Sequence, residues 1–180
     1  MLTIRIPDSE FFNEATNEFV KIKGTSLQLE HSLVSLSKWE SKWCKPFLGP
    51  GKKTNEETID YIRCMTINPT VQSEIYLYLT DMAIDQISEY IAAEMTATTF
   101  RKEQVAGSNK EIITSELIYY WMIAQQIPFE CQKWHLNRLL TLIRVCSIKN
   151  TPPKKMGKHA LMTRNTQLNE ARRKQINSRG

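Results

Sequence analysis

Cys131 and His135 stand four residues apart, so on a helix they share a face and could offer a thiolate and an imidazole to a metal ion. A closed structural zinc site needs four ligands. His31 and Cys44 could complete one, and nothing in their spacing supports it. The expected state is therefore a core thiol beside a hydrogen-bonded imidazole, with no metal. Asp81, Asp85 and Glu89 follow at i, i+4 and i+8, a stripe that could attract a cation but reads as a solvated helix face. Lys133, Arg138 and Arg144 could form a basic face, with nearby tryptophans stacking on bases. Trp39, Trp43, Trp121 and Trp134 all fall on apolar stripes, however, where core packing is the expected role. The chain contains no H-E-x-x-H, phosphate-binding loop, G-x-G-x-x-G, EF-hand loop or G-x-S-x-G. No Ser, His and Asp set stands out. No catalytic residue, metal or cofactor is expected, and the reading is non-enzymatic.

The elements that must position these residues are mostly helical. Leu2 to Ile6 alternates apolar and polar residues and predicts a short strand that Pro7 ends or places at an edge. Phe19–Lys23 and Ser26–Glu30 alternate around Gly24-Thr25, predicting a hairpin. Leu33, Leu36, Trp39 and Trp43 recur at steps of three and four, predicting a helix over 31–43. Lys45 to Gly51 is a break. Thr54 and Glu57 form a capping-box pattern that opens the next helix, with Ile59, Ile62 and Cys64 or Met65 facing inward. Two helical stretches follow between Ser73 and Met95, the second with Ile84, Ile87, Tyr90 and Ile91 as its stripe. Residues 95–109 read as a loop. The stretch 112–126 is the most hydrophobic, with Leu117, Ile118, Tyr120, Trp121 and Ile123 covering more than one face, which predicts a central helix. After Pro128 a helix over about 130–147 completes a helical hairpin, and a marginal helix is expected over about 157–176.

Composition bounds the rest. The 180 residues suit a single domain, with 41% hydrophobic and 24% charged side chains, which is ordinary globular usage. No apolar run approaches the roughly 20 residues that span a bilayer, and no export signal is expected at the N-terminus. The four cysteines are widely spaced and read as reduced thiols. Charge is unevenly placed. Residues 151–180 hold eight basic side chains against Glu170, a net of +7, while residues 1–150 hold 16 basic and 18 acidic ones, a net of −2. The tail, opened by Pro152-Pro153, is either a solvated extension or an arm for an acidic protein surface or for nucleic acid. The expected organisation is an α+β, mostly α-helical body over 1–150, a helical bundle with a small N-terminal β-hairpin or sheet over about 1–30. A basic C-terminal helical arm over 151–180 follows it.

Several stretches carry a resemblance. They are Leu36-Ser-Lys-Trp-Glu-Ser-Lys-Trp43, Lys45-Pro-Phe-Leu48, Asp60-Tyr-Ile-Arg-Cys-Met65, Met95-Thr-Ala-Thr-Thr-Phe100, Glu116-Leu-Ile-Tyr-Tyr-Trp-Met122, the run Ile127 to Leu140, and Asn169-Glu-Ala-Arg-Arg-Lys174. Together they resemble a family of tailed-bacteriophage proteins encoded among the tail genes and regarded as tail assembly chaperones. The likeness covers most of the chain from residue 26 on. It implies a small helical factor in the host cytoplasm that binds the tape-measure protein and keeps it soluble while the tail tube polymerises. Other tail proteins and a second copy of the chain are further partners it leaves open. The rival readings are a structural virion protein of the tail or connector, and a small nucleic-acid-binding protein using the tail. Candidate partner-binding residues are Trp39, Trp43 and Phe100, for an exposed apolar patch, and Lys154, Lys155, Arg172, Arg173 and Lys174, for the arm. Deleting residues 151–180 is expected to leave the body folded, because it keeps its apolar stripes. A thermal melt of the truncated chain stays cooperative, and loss of that transition refutes the two-part organisation.

Overall fold

Two hydroxyl caps start the helical part of the chain. Ser32 accepts from Ser35 N and opens α1 (Leu33–Trp43), while Thr54 accepts from Glu57 N and opens α2 (Asn55–Met65). In each, the residue three along reaches back to the cap, so both are capping boxes. The computed structural model describes residues 1–13, 18–69, 71–100, 111–152 and 157–176. Before α1 lie β1 (Leu2–Ile6), β2 (Ser9–Asn13), β3 (Glu18–Ile22) and β4 (Thr25–Leu29). After α2 come a 3-10 turn (Ser73–Tyr78), α3 (Asp81–Ala92), α4 (Ser115–Ala124), a second 3-10 turn (Phe129–Lys133), α5 (Leu136–Asn150) and α6 (Lys158–Ile176). The fold is α+β and mostly helical. Met1–Ser147 form one compact unit and Ile148–Gly180 a second.

The strands correct the expected hairpin. β3 does not pair with β4. Instead β1 pairs with β4, from Leu2↔Leu29 to Ile6↔Thr25, and β2 with β3, from Ser9↔Ile22 to Asn13↔Glu18. The second ladder continues the register of the first without a slip, so the two lie along one antiparallel ribbon. Gly24 is not a turn glycine. It stands where the ribbon passes Pro7-Asp8, and a Cβ there would lie 3.0 Å from both Asp8 N and Ile6 O. Its own N–H donates to Asp8 Oδ1 at 2.5 Å.

Alternation puts Ile4, Ile6, Leu27 and Leu29 on the inner face of the ribbon. They join Leu33, Leu36 and Trp39 of α1, Ile62 and Met65 of α2, Ile118 and Met122 of α4, and Leu136 and Leu139 of α5 in one core. Burying each such side chain stabilises the fold by about 1.5–3 kcal/mol. The outer edge of β4 is closed by the chain leaving α2. Glu30 N donates to Met65 O and Ile67 N to Gln28 O, both at 2.9 Å. Asn68 extends this pairing with its side-chain amide, accepting from Gln28 N and donating to Ser26 O.

Two further expectations change. α4 is not central. Ser115, Ile118 and Met122 are buried, but Tyr120 and Ile123 are 63% and 62% exposed, and the helix it lies against is α1 rather than α5. The stretch expected as one helix over 130–147 breaks into a 3-10 turn and α5. The break is at Trp134-His135, where Leu136 N donates to His31 O at 2.7 Å.

Polar groups inside the body are few and well committed. Glu40 of α1 is buried, and its Oε1 accepts from Phe47 N and its Oε2 from Ser115 N, each at 2.7 Å. One carboxylate thereby ties α1, the loop after it and the first turn of α4, where the helix dipole also favours a negative charge. A chain of rings crosses the core beside it. Trp43 stacks on Trp39, Trp39 meets Phe47 edge-on, and Phe47 stacks on Tyr61. Tyr61 then meets His31, His31 meets His135 at 5.1 Å, and His135 meets Tyr90. His31 Nδ1 shares a 2.6 Å hydrogen bond with the Tyr61 hydroxyl. His135 donates from Nε2 to Tyr90 O at 3.0 Å, and its Nδ1 has no partner among the described residues. Burial, and then the facing His135, push His31 down to about 4, and burial also lowers His135.

Glu40→Ala strands two buried N–H donors and is expected to lower stability by about 2–4 kcal/mol in urea unfolding, with Glu40→Gln costing less because its amide oxygen keeps one donor. A loss under about 1 kcal/mol from Glu40→Ala would show that the donors find other acceptors. The His31 contribution runs the opposite way to that of a paired histidine. The unfolded chain takes up the proton near pH 6.5 and the folded chain only near 4, so stability is full above 6.5 and falls as pH drops toward 4. The loss from this group is about 3 kcal/mol. NMR titration of the His31 ring checks it, and a midpoint above 6 overturns it.

Candidate interaction site

The eight candidate residues separate once folded. Trp39 is 2% exposed, its indole N–H donates to Glu57 O at 2.9 Å, and its ring is held between Trp43 and Phe47. It is a core residue with no surface to offer, which corrects its place among the partner-binding candidates. Trp43, one turn on, is half-buried and donates to Asp60 Oδ2 at 2.9 Å. Phe100 is half-buried in a different groove, of about 410 Å³, where the Arg144 guanidinium lies 4.1 Å from its ring. Arg172, Arg173 and Lys174 are exposed in the last turns of α6, whose side chains from Leu161 to Gln175 are all exposed. Lys154 and Lys155 lie outside the described residues.

Trp43 lines a groove of about 370 Å³ between α1, α2 and the first 3-10 turn. Trp43, Ile59 and Leu77 supply its apolar floor, and Lys42 and Arg63 stand at its edges beside Glu56 and Asp60. Leu77 is 65% exposed. A second groove, of about 240 Å³, is lined by Lys45, Lys52, Lys53 and the Pro46–Gly51 loop. Lys45 joins the two, since its ammonium lies 5.8 Å from the Trp43 ring.

The ion pairs on this face are lopsided. Lys42 pairs with Asp60 and Lys45 with Glu57, yet the lysine side chains are 59% and 60% exposed and the carboxylates 9% and 6%. The lysines lie over the Trp43 ring and send their charge to solvent, as long amphipathic side chains do. Burial pushes the Asp60 carboxyl up, but the Lys42 and Trp43 hydrogen bonds outweigh it and hold it below its ordinary value. The Lys45 hydrogen bond and the Thr54 backbone likewise hold Glu57 down. Lys53, with its ammonium 4.1 Å above Phe47, is lowered by burial against the opposing pull of Glu57. The surface that results is an apolar floor whose outermost charges are the Lys42, Lys45 and Arg63 cations and the Glu56 carboxylate.

A second apolar surface lies on α4. Tyr120 and Ile123 project outward one turn apart, and exposed Phe129 follows in the next turn with its ring 6.4 Å from that of Tyr119. Tyr119 itself is tied down by its hydroxyl, which donates to Gln132 Oε1. Asp81, Asp85 and Glu89 are all exposed on α3. The four cysteines are free thiols, Cys44 exposed and Cys131 buried. Among the described residues no group of three or more His, Cys, Asp or Glu side chains is placed to hold a metal ion. No described helix is long and apolar enough to cross a membrane.

The lysine frame escaped the sequence reading, although Lys42 and Lys45 flank Trp43 in the chain. Leu77 gave no signal, because it sits in a 3-10 turn without helical periodicity. No family model, no curated protein and no solved structure matches this chain.

Proposed function

We propose that the protein is a bacteriophage tail assembly chaperone. It binds the tape-measure protein in the host cytoplasm during tail morphogenesis and has no enzymatic activity. The quoted stretches from Leu36 to Lys174 are the source of the reading, and one structural observation carries it. α4 is apolar on nearly all sides, and Tyr120 and Ile123 face solvent where a client could cover them. A long helical client offers apolar faces of its own, and helix-on-helix burial is a recurring mode of such recognition. The exposed, basic α6 favours one rival, a virion component whose arm orders against its neighbours.

The two readings part in the finished particle. The protein is expected to co-purify with tape-measure protein from infected cells and to be missing from purified virions by mass spectrometry. A fixed copy number in virions overturns the chaperone reading in favour of the structural one. Tyr120→Asp and Ile123→Asp are expected to reduce co-purification about tenfold with the melting temperature unchanged, since both side chains are already exposed.

A further inference from the structure

We infer that the Trp43 groove is a docking site for an amphipathic helix of another polypeptide whose apolar stripe is flanked by Asp or Glu. The proposed function enters only in that the occupant is a polypeptide. The groove lies between two helices and offers no strand edge, so a helix laid along it fits better than an added strand. Trp43, Ile59 and Leu77 would receive its apolar side chains. Charge complementarity selects the flanks. Lys38 and Lys52 are exposed beside this face, and Lys42 and Lys45 are the exposed ends of ion pairs whose carboxylates, Asp60 and Glu57, are buried beneath them. Glu56 is the exposed acid among the lining side chains. A basic flank would face the exposed Lys38 and Lys52 and the outward ammonium ends of the two ion pairs, and like charges brought together at an interface are disfavoured. The floor is also set before binding. The Trp43 indole is fixed by Asp60 and by stacking on buried Trp39, so little side-chain freedom is lost when it is covered.

The test titrates the full-length protein by calorimetry with three synthetic helical peptides of about 20 residues, a length near the helical minimum in water. One carries Leu at i, i+3, i+4 and i+7 with Glu between. The second replaces each Glu by Lys, and the third replaces each Leu by Ser. The first peptide is expected to bind about tenfold or more tightly than either control. Leu77→Asp and Lys52→Glu are each expected to weaken it about fivefold or more, with the melting temperature unchanged because both positions are exposed. Undiminished affinity in both variants places the peptide elsewhere, on the α4 face or the basic arm, and overturns the proposal. Equal binding of the acidic and Ser-substituted peptides marks a general polyanion surface and also overturns it. So does concentration-dependent self-association abolished by Leu77→Asp, which makes a second copy the occupant. Tape-measure protein retained equally by both variants removes this groove and leaves the assigned client standing. Peptide binding with no tape-measure protein retained does the reverse.

Discussion

A carboxylate taken out of water must find donors, and Glu40 finds them in the backbone of Phe47 and Ser115. Among the described residues no cation pairs with it, so its charge is met by two N–H groups from segments far apart in the chain. Such charge-assisted bonds are stronger than neutral ones and tolerate little displacement. Three placements follow from them. The loop after α1 is drawn in, which seats Phe47 between Trp39 and Tyr61. The start of α4 is anchored on α1. With that start set, helical periodicity sends Ile118 and Met122 inward and Tyr120 and Ile123 outward.

The same economy shapes the Trp43 face. Both tryptophans of α1 give their indole N–H to α2, Trp39 to a backbone carbonyl and Trp43 to the Asp60 carboxylate. Asp60 and Glu57 are therefore structural anions first, and Lys42 and Lys45 neutralise them from outside. Isolated surface ion pairs contribute little to stability. Here the carboxylate is buried and hydrogen-bonded while the ammonium keeps most of its water, so desolvation falls on only one partner. The by-product is an apolar floor edged by ion pairs whose ammonium ends face outward. The interaction site thus grows out of the way the core disposes of its buried polar groups.

Much of the local structure was legible. The capping box at Thr54 and Glu57 depends on residues three apart, and it formed as read. The stripe Ile84, Ile87, Tyr90 and Ile91 reports one helix, and Ile87 and Tyr90 are buried in it. Errors arose where distant chain decided. Gly24-Thr25 has the composition of a turn, but the glycine answers to Ile6 and Asp8 across the ribbon. Trp39 and Trp43 share one stripe and differ in fate because Phe47 folds over the first and leaves the second at the edge. Helical spacing pairs His135 with Cys131, its neighbour in sequence, whereas the rings it meets are those of His31 and Tyr90.

By itself the sequence determined the helices of the body, their caps, the apolar stripes and the basic arm, because each rests on contacts within a few residues. Propensity, capping and periodicity act at that range and are written directly in the order of side chains. Only the tertiary structure decided which stripe is buried, which strand pairs with which, and where charge points outward. Those outcomes depend on closing long loops around shared donors such as the Phe47 and Ser115 amides. The energy of that closure belongs to pairs of residues that no local window contains.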